Sequence, residues 1–144
     1  MKKKPIYWGV AAVIAVLAII TAEIAFTGPT RGAMRTYAAL LAAANRPEPD
    51  LGAIQSLCTG RYVAAHPITA TGEGGVVGLP RNFHKNFQIW RDGGEVLLCP
   101  TNREGPVYRF LRERGDWRFD GLVGQLQGGK LLRGEGVLDG GDLP

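Results

Sequence analysis

The chain has few of the residues that carry out chemistry. Among 144 residues there are two cysteines, two histidines and two methionines. Cys58, Cys99, His66 and His84 show no ligand-like spacing, so no metal site is expected. No Ser-His-Asp set or activated cysteine can be assembled, and no catalytic residue is expected. Gly72-Glu73-Gly74-Gly75 has no Lys-Ser/Thr pair after it and no strand-to-helix setting, which argues against a phosphate-binding loop. His66 precedes Pro67 and His84 stands beside Lys85, contexts that do not suggest a general base. No cofactor is expected.

Long blocks of one charge are also missing. Three of the 17 basic residues are Lys2, Lys3 and Lys4, leaving 14, and one of the 13 acidic residues is Glu23, leaving 12, so the remainder is close to neutral. Its charges alternate, as in Arg112-Glu113-Arg114-Gly115-Asp116, which argues against a nucleic-acid surface.

One long apolar run is present. Ile6 to Phe26 holds a single charge, Glu23, and follows the three lysines. As a helix it is about 31 Å long, enough for a hydrocarbon core of about 30 Å. A cleaved signal peptide would have a shorter apolar region and a small-x-small site. Glu23-Ile24-Ala25 and Ala25-Phe26-Thr27 are poor sites, so an uncleaved anchor is expected. Lys2, Lys3, Lys4 and the amino terminus before the run outweigh Arg31 and Arg35 after it and predict a cytoplasmic N-terminus, with Tyr7 and Trp8 at that interface. The remainder then lies on the far side, in the periplasm if the host is a bacterium and the bilayer its inner membrane. Glu23 is expected to reach the outer interface, with a contact to another membrane helix as the alternative. On that side a Cys58–Cys99 disulfide is permitted and would constrain the unfolded chain by roughly 3–4 kcal/mol. Two buried free thiols are the alternative.

The pattern divides the chain into an anchor (1–27), a Gly-Pro hinge (28–32), an α+β domain (33–124) and an extended Gly-rich tail (125–144). Helices are expected at Ala33–Arg46, at Leu51–Cys58 behind the capping residue Asp50, and briefly at Arg61–His66. Thr69 to Pro80 reads as a loop. Two hairpins follow: Asn86–Arg91 with Glu95–Cys99 about Asp92-Gly93-Gly94, then Val107–Arg112 with Trp117–Val123 about Gly115. Trp90, Trp117, Phe87 and Phe110 read as core or sheet-face residues. Arg91, Arg109, Arg112 and Arg118 form either a face for protein contacts or an ordinary solvated surface.

Tyr37-Ala38-Ala39-Leu40-Leu41-Ala42-Ala43-Ala44-Asn45 followed by Asp50-Leu51-Gly52-Ala53-Ile54 resembles the opening of the NTF2-like (cone-shaped α+β) superfamily. Val107-Tyr108-Arg109-Phe110-Leu111-Arg112 and Gly115-Asp116-Trp117-Arg118-Phe119-Asp120-Gly121 resemble its closing hairpin. The resemblance spans about residues 33–124 and implies helices packed on a curved antiparallel sheet. Enzymatic members similar to ketosteroid isomerase or scytalone dehydratase place carboxylates or histidines inside the cone. No such motif is matched, and Asp120 is expected to face solvent. The expectation is a non-enzymatic accessory subunit of a larger membrane complex (a respiratory or photosynthetic one being a candidate host), with the lipid bilayer and other subunits as partners. The alternative is a stand-alone, membrane-tethered ligand-binding or enzymatic cone.

Overall fold

The computed structural model describes residues 5–69 and 84–134, and the side chains of all of these except 5–12 and 23–26. Lys2, Lys3, Lys4 and most of the expected loop before Pro80 lie outside the described residues, as do the side chains of Tyr7, Trp8 and Glu23.

Anchor and first domain helix are one element. α1 runs without a break from Pro5 to Ala44, and residues 28–32 are helical rather than a hinge. Gly28-Pro29 is a breaker by local rules, since proline removes one helical hydrogen bond. The demands on either side are stronger. Before the proline, the run from Ile6 to Phe26 is rich in Ala and other helix-compatible residues and has no breaker after Gly9. Beyond the proline, Ala33, Tyr37, Leu40 and Leu41 are buried at helical spacing. The Thr30 hydroxyl donates to the Thr27 carbonyl at 2.9 Å, so that carbonyl has a local partner. In the first half of α1, Val13, Ile14, Val16, Leu17, Ile19 and Ile20 are exposed. That half is long and apolar enough to cross a membrane.

α2 (Leu51–Leu57) starts where the Asp50 carboxylate accepts from the Ala53 amide at 3.0 Å. α3 (Gly60–Ala65) starts where the Thr59 hydroxyl accepts from the Tyr62 amide at 3.2 Å. Both caps satisfy amides that a helix start leaves free.

Five antiparallel strands form one sheet in chain order: β1 (Gln88–Asp92), β2 (Glu95–Cys99), β3 (Gly105–Glu113), β4 (Asp116–Gln127) and β5 (Lys130–Arg133). Asp92 pairs with Glu95 around Gly93-Gly94, and Gly93 has φ +60°, a value suited to a two-residue hairpin turn. The same device recurs at Gly128-Gly129, with φ of +54° and +74°. The expected tail is therefore corrected over its first part: β4 continues through Leu126, and Lys130–Arg133 returns as β5. Residues 135–144 lie outside the described residues.

The sheet has apolar groups on both faces. One packs under the helices, with Tyr37, Ile54, Cys58, Tyr62, Val96, Leu98, Tyr108, Phe110 and Phe119. The other carries Leu97, Cys99, Val107, Val123 and Leu126, with Trp90 and Leu131 against them. Arg133 of β5 bonds Asp92 at the end of β1 at 2.6 Å, so the first and last strands approach each other. The protein is thus an α+β fold with a curled, half-barrel sheet. Close strand spacing is enforced at Gly124, where an added Cβ would lie 2.1 Å from the Leu132 carbonyl oxygen. Backbone cannot yield as a flexible side chain can. Gly124→Ala is expected to cost about 1–3 kcal/mol by overpacking and to release β5, seen as faster amide exchange at Leu131 and Leu132.

Candidate functional site

Two features stand out: a buried charge cluster at the sheet and an open groove beside α1. The cluster is built by a bulge. Tyr108 pairs with Leu122 and Phe110 with Phe119, so Asp120 and Gly121 together oppose Arg109. Gly121 takes φ +97°, and its missing side chain leaves room for the Tyr62 ring, which an added Cβ would meet at 3.0 Å. Asp120 is only 1% exposed, which corrects the expectation that it faces solvent.

Asp120 Oδ1 accepts from the Thr59 hydroxyl at 2.5 Å and from Arg61 Nε at 2.7 Å. Asp120 Oδ2 accepts from Arg109 Nε at 2.8 Å and also contacts the Arg61 guanidinium. Arg109 is buried as well, so it is not part of an exposed basic face. Its guanidinium lies 3.7 Å from Glu95, and Glu95 lies 3.8 Å from Arg133. Burial alone would raise the Asp120 pKa. The bonds from Arg61 and Thr59 and the charges of Arg109 and Arg61 outweigh it and hold the carboxyl below its ordinary range. A carboxylate with both oxygens occupied by fixed donors has no proton to give and no free lone pair aimed at a substrate. The cluster ties the start of α3, β3 and β4 together.

The sequence offers Arg109 only as part of a sheet face and Asp120 as a solvent-facing residue, not as members of one buried cluster. The available signal was Gly121, since an isolated glycine within a strand marks a bulge or a close approach. The partners Thr59 and Arg61 are some sixty positions away along the chain and left no trace in the local pattern.

Aromatic rings fill the space between helices and sheet. Tyr37 lies 6.0 Å from Tyr108 and 6.2 Å from Phe110 between ring centroids. Phe119 lies 5.1 Å from Tyr62, 5.6 Å from Tyr108 and 5.8 Å from Phe110. The histidines have local roles. His66 stacks on Tyr62 at 4.8 Å, and His84 Nδ1 accepts from the Asn86 amide at 3.1 Å. Among the described residues there is no group of three or more His, Cys, Asp and Glu placed to hold a metal ion.

The expected disulfide is not formed. Cys58 packs in the core under the helices and Cys99 in the core on the opposite face of the sheet, and both thiols are free and buried. The sheet stands between them. Burial pushes the Cys58 thiol up to about 12, so it is inert near neutral pH. In the absence of reductant, both thiols are expected to resist a thiol reagent in the native protein and to titrate in full after unfolding in guanidinium.

The groove has a volume of about 560 Å³ and lies between α1, the end of α2 and the β3–β4 turn. Its walls include Gly32, Arg35 and Thr36 of α1, Leu57 of α2, and Trp117 and Arg118 of β4. Gly32 lets Trp117 lie against the helix, since a Cβ there would meet the indole Cδ1 at 2.4 Å. The Thr36 hydroxyl donates to the Trp117 carbonyl at 2.6 Å and fixes the contact.

These features define a class: an α+β domain built directly onto a helix that can span a membrane. In comparisons with family models, with curated proteins and with solved structures, the chain has no significant match.

Proposed function

We infer that this chain is a single-pass membrane protein whose domain serves as a protein-interaction module, an accessory and structural subunit of a larger membrane complex. One observation carries the reading: apolar span and domain helix are the same unbroken α1. A domain set on its span without a flexible joint has a restricted height and orientation above the bilayer. That suits a part held at a defined place in an assembly, whereas a tethered catalyst gains from freedom to sample substrate. Two further features support it. Rings occupy the region where an enzymatic NTF2-like cone would hold its pocket, and the buried carboxylate is engaged by Thr59, Arg61 and Arg109. Lys2, Lys3 and Lys4 favour a cytoplasmic N-terminus and a periplasmic domain at a bacterial inner membrane. A respiratory or photosynthetic complex would be one suitable host.

The test is gentle detergent extraction from the native membrane, followed by native electrophoresis and identification of what migrates with the chain. Co-migration with defined membrane proteins, well above the 15.5 kDa of the chain, is expected. Migration as a lone monomer under conditions that keep known complexes intact would overturn the reading.

A further inference from the structure

Two groups stand out among the described arginines, apart from Arg91 in β1 and Arg103, which is exposed in the β2–β3 connection. Arg46, Arg61, Arg109 and Arg133 each form ion pairs. Arg31, Arg35, Arg112, Arg114 and Arg118 form none among the described residues, and all five gather at one end of the domain. Arg31 and Arg35 are exposed one turn apart on α1. Arg112 and Arg114 are exposed at the β3–β4 turn, and Arg118 lines the groove with its buried Nε lacking a hydrogen-bond partner. Two acidic groups stand nearby. Glu113 already accepts from the Gly60 amide at 3.0 Å, and Asp116 is exposed. Positive charge is in clear excess.

The position of this cluster identifies what it faces. Trp117 meets α1 at Gly32 and Thr36, whereas Tyr108 and Phe110 meet it further along at Tyr37. The β3–β4 turn is therefore the end of the sheet nearest the apolar half of α1. At 1.5 Å per residue, Arg31 stands about 8 Å beyond Phe26, and Arg35 about 14 Å. The headgroup layer extends roughly 5–8 Å beyond the hydrocarbon on each side. Arginine side chains can lie along apolar surface and reach back into that layer.

We propose that Arg31, Arg35, Arg112, Arg114 and Arg118 form a collar around the emerging helix that binds the phosphates of anionic phospholipids in the adjoining leaflet, with the Arg35–Trp117–Arg118 groove as its deepest seat. The proposal rests on α1 spanning the bilayer. Unpaired guanidinium groups suit phosphate oxygens, to which they can donate two parallel hydrogen bonds. Each basic side chain near an anionic leaflet strengthens attachment on the order of fivefold. An acidic surface of a neighbouring subunit is the competing occupant, and the collar's height at the headgroup layer favours lipid.

The test uses the full chain in bilayer discs holding equal mole fractions of phosphatidylglycerol and phosphatidylcholine, released directly into a native mass spectrometer. Phosphatidylglycerol adducts are expected to exceed phosphatidylcholine adducts by about fivefold or more. Arg35→Gln with Arg118→Gln should lower that excess about fivefold or more, and Arg35→Lys with Arg118→Lys should keep most of it. Unchanged melting of the glutamine variant shows that its fold persists. Parity in the unaltered chain, or a preference undiminished by both glutamine substitutions, overturns the collar. Release of co-purifying subunits by those substitutions with lipid preference intact assigns the surface to protein and also overturns it. Carbonate washing of the native membranes separates the underlying premise: a chain that washes off is not spanning, whatever its lipid preference.

Discussion

Asp120→Ala is expected to destabilise the domain by about 3–5 kcal/mol, the cost of leaving a buried charge without its partner. The stranded group is Arg109, with a side chain only 10% exposed. Glu95 at 3.7 Å cannot replace Asp120, because it is half-buried and shared with Arg133. Loss of Asp120 also removes the acceptor that holds Thr59 and Arg61 at the start of α3. Arg61→Ala provides the contrast. Arg61 is 57% exposed and its removal leaves Asp120 with Thr59 and Arg109, so the loss is expected to be smaller, about 1–2 kcal/mol. Denaturant unfolding in mild detergent, followed by tryptophan fluorescence, measures both. Equal losses in the two variants would show that the cluster is not organised around Asp120.

The same carboxyl sets an acid limit. Its pKa is lower in the fold than in the unfolded chain, where an aspartate titrates near about 3.9. In the acid range the unfolded chain then binds more protons than the native one. The stabilisation is fully present above about pH 4 and is lost as pH falls through the lower native value. Asp120→Asn should flatten this part of the pH–stability profile.

Phe119→Ala is expected to cost about 3–5 kcal/mol through lost burial and the cavity left behind. Phe119 is fully buried at the junction of three rings, Tyr62, Tyr108 and Phe110. Its backbone carbonyl also accepts from the Thr59 amide at 2.8 Å, which closes the free edge of β4. The substitution should therefore loosen α3 together with the aromatic core. Amide exchange at Tyr62 and Val63 should rise along with the fall in unfolding midpoint. Phe119→Leu keeps most of the volume and should cost distinctly less. An alanine variant as stable as the parent would mean that the helices do not depend on this cluster.

Much of the fold was legible because local chemistry and tertiary packing agree. The apolar run before Thr27, the Asp50 cap and the alternation in the two hairpins each have one dominant physical cause. Gly93-Gly94 was read as a turn because residues on both sides alternate strongly. Gly128-Gly129 makes the same kind of turn, but β5 is short and carries an exposed Leu132, so its pattern was weak. Gly28-Pro29 misled in the opposite sense. A rule about one residue's hydrogen bond was overridden by the needs of two long helical segments.

The site was less legible, for a topological reason. Asp120 alternates correctly away from the Phe119 face, and on a flat two-layer sheet that places it in solvent. This sheet is curled, has a second core on that other face, and is bulged at Gly121. The opposite side of the strand is therefore also interior. Alternation along β2 puts Cys99 with Leu97 on the face away from Cys58, so a pairing allowed by compartment and loop length is blocked by the sheet.

The one-dimensional pattern alone determined the apolar span, the α+β class and the order of most elements, because periodicity and turn chemistry act over a few neighbouring residues. Tertiary structure decided how those elements are joined and what they bury. It joined span and domain into one helix, buried Asp120 between two arginines, kept the two thiols apart, and left five arginines without ion-pair partners at the end of the domain nearest the span. These outcomes depend on how segments far apart in sequence pack against one another, which no local pattern encodes.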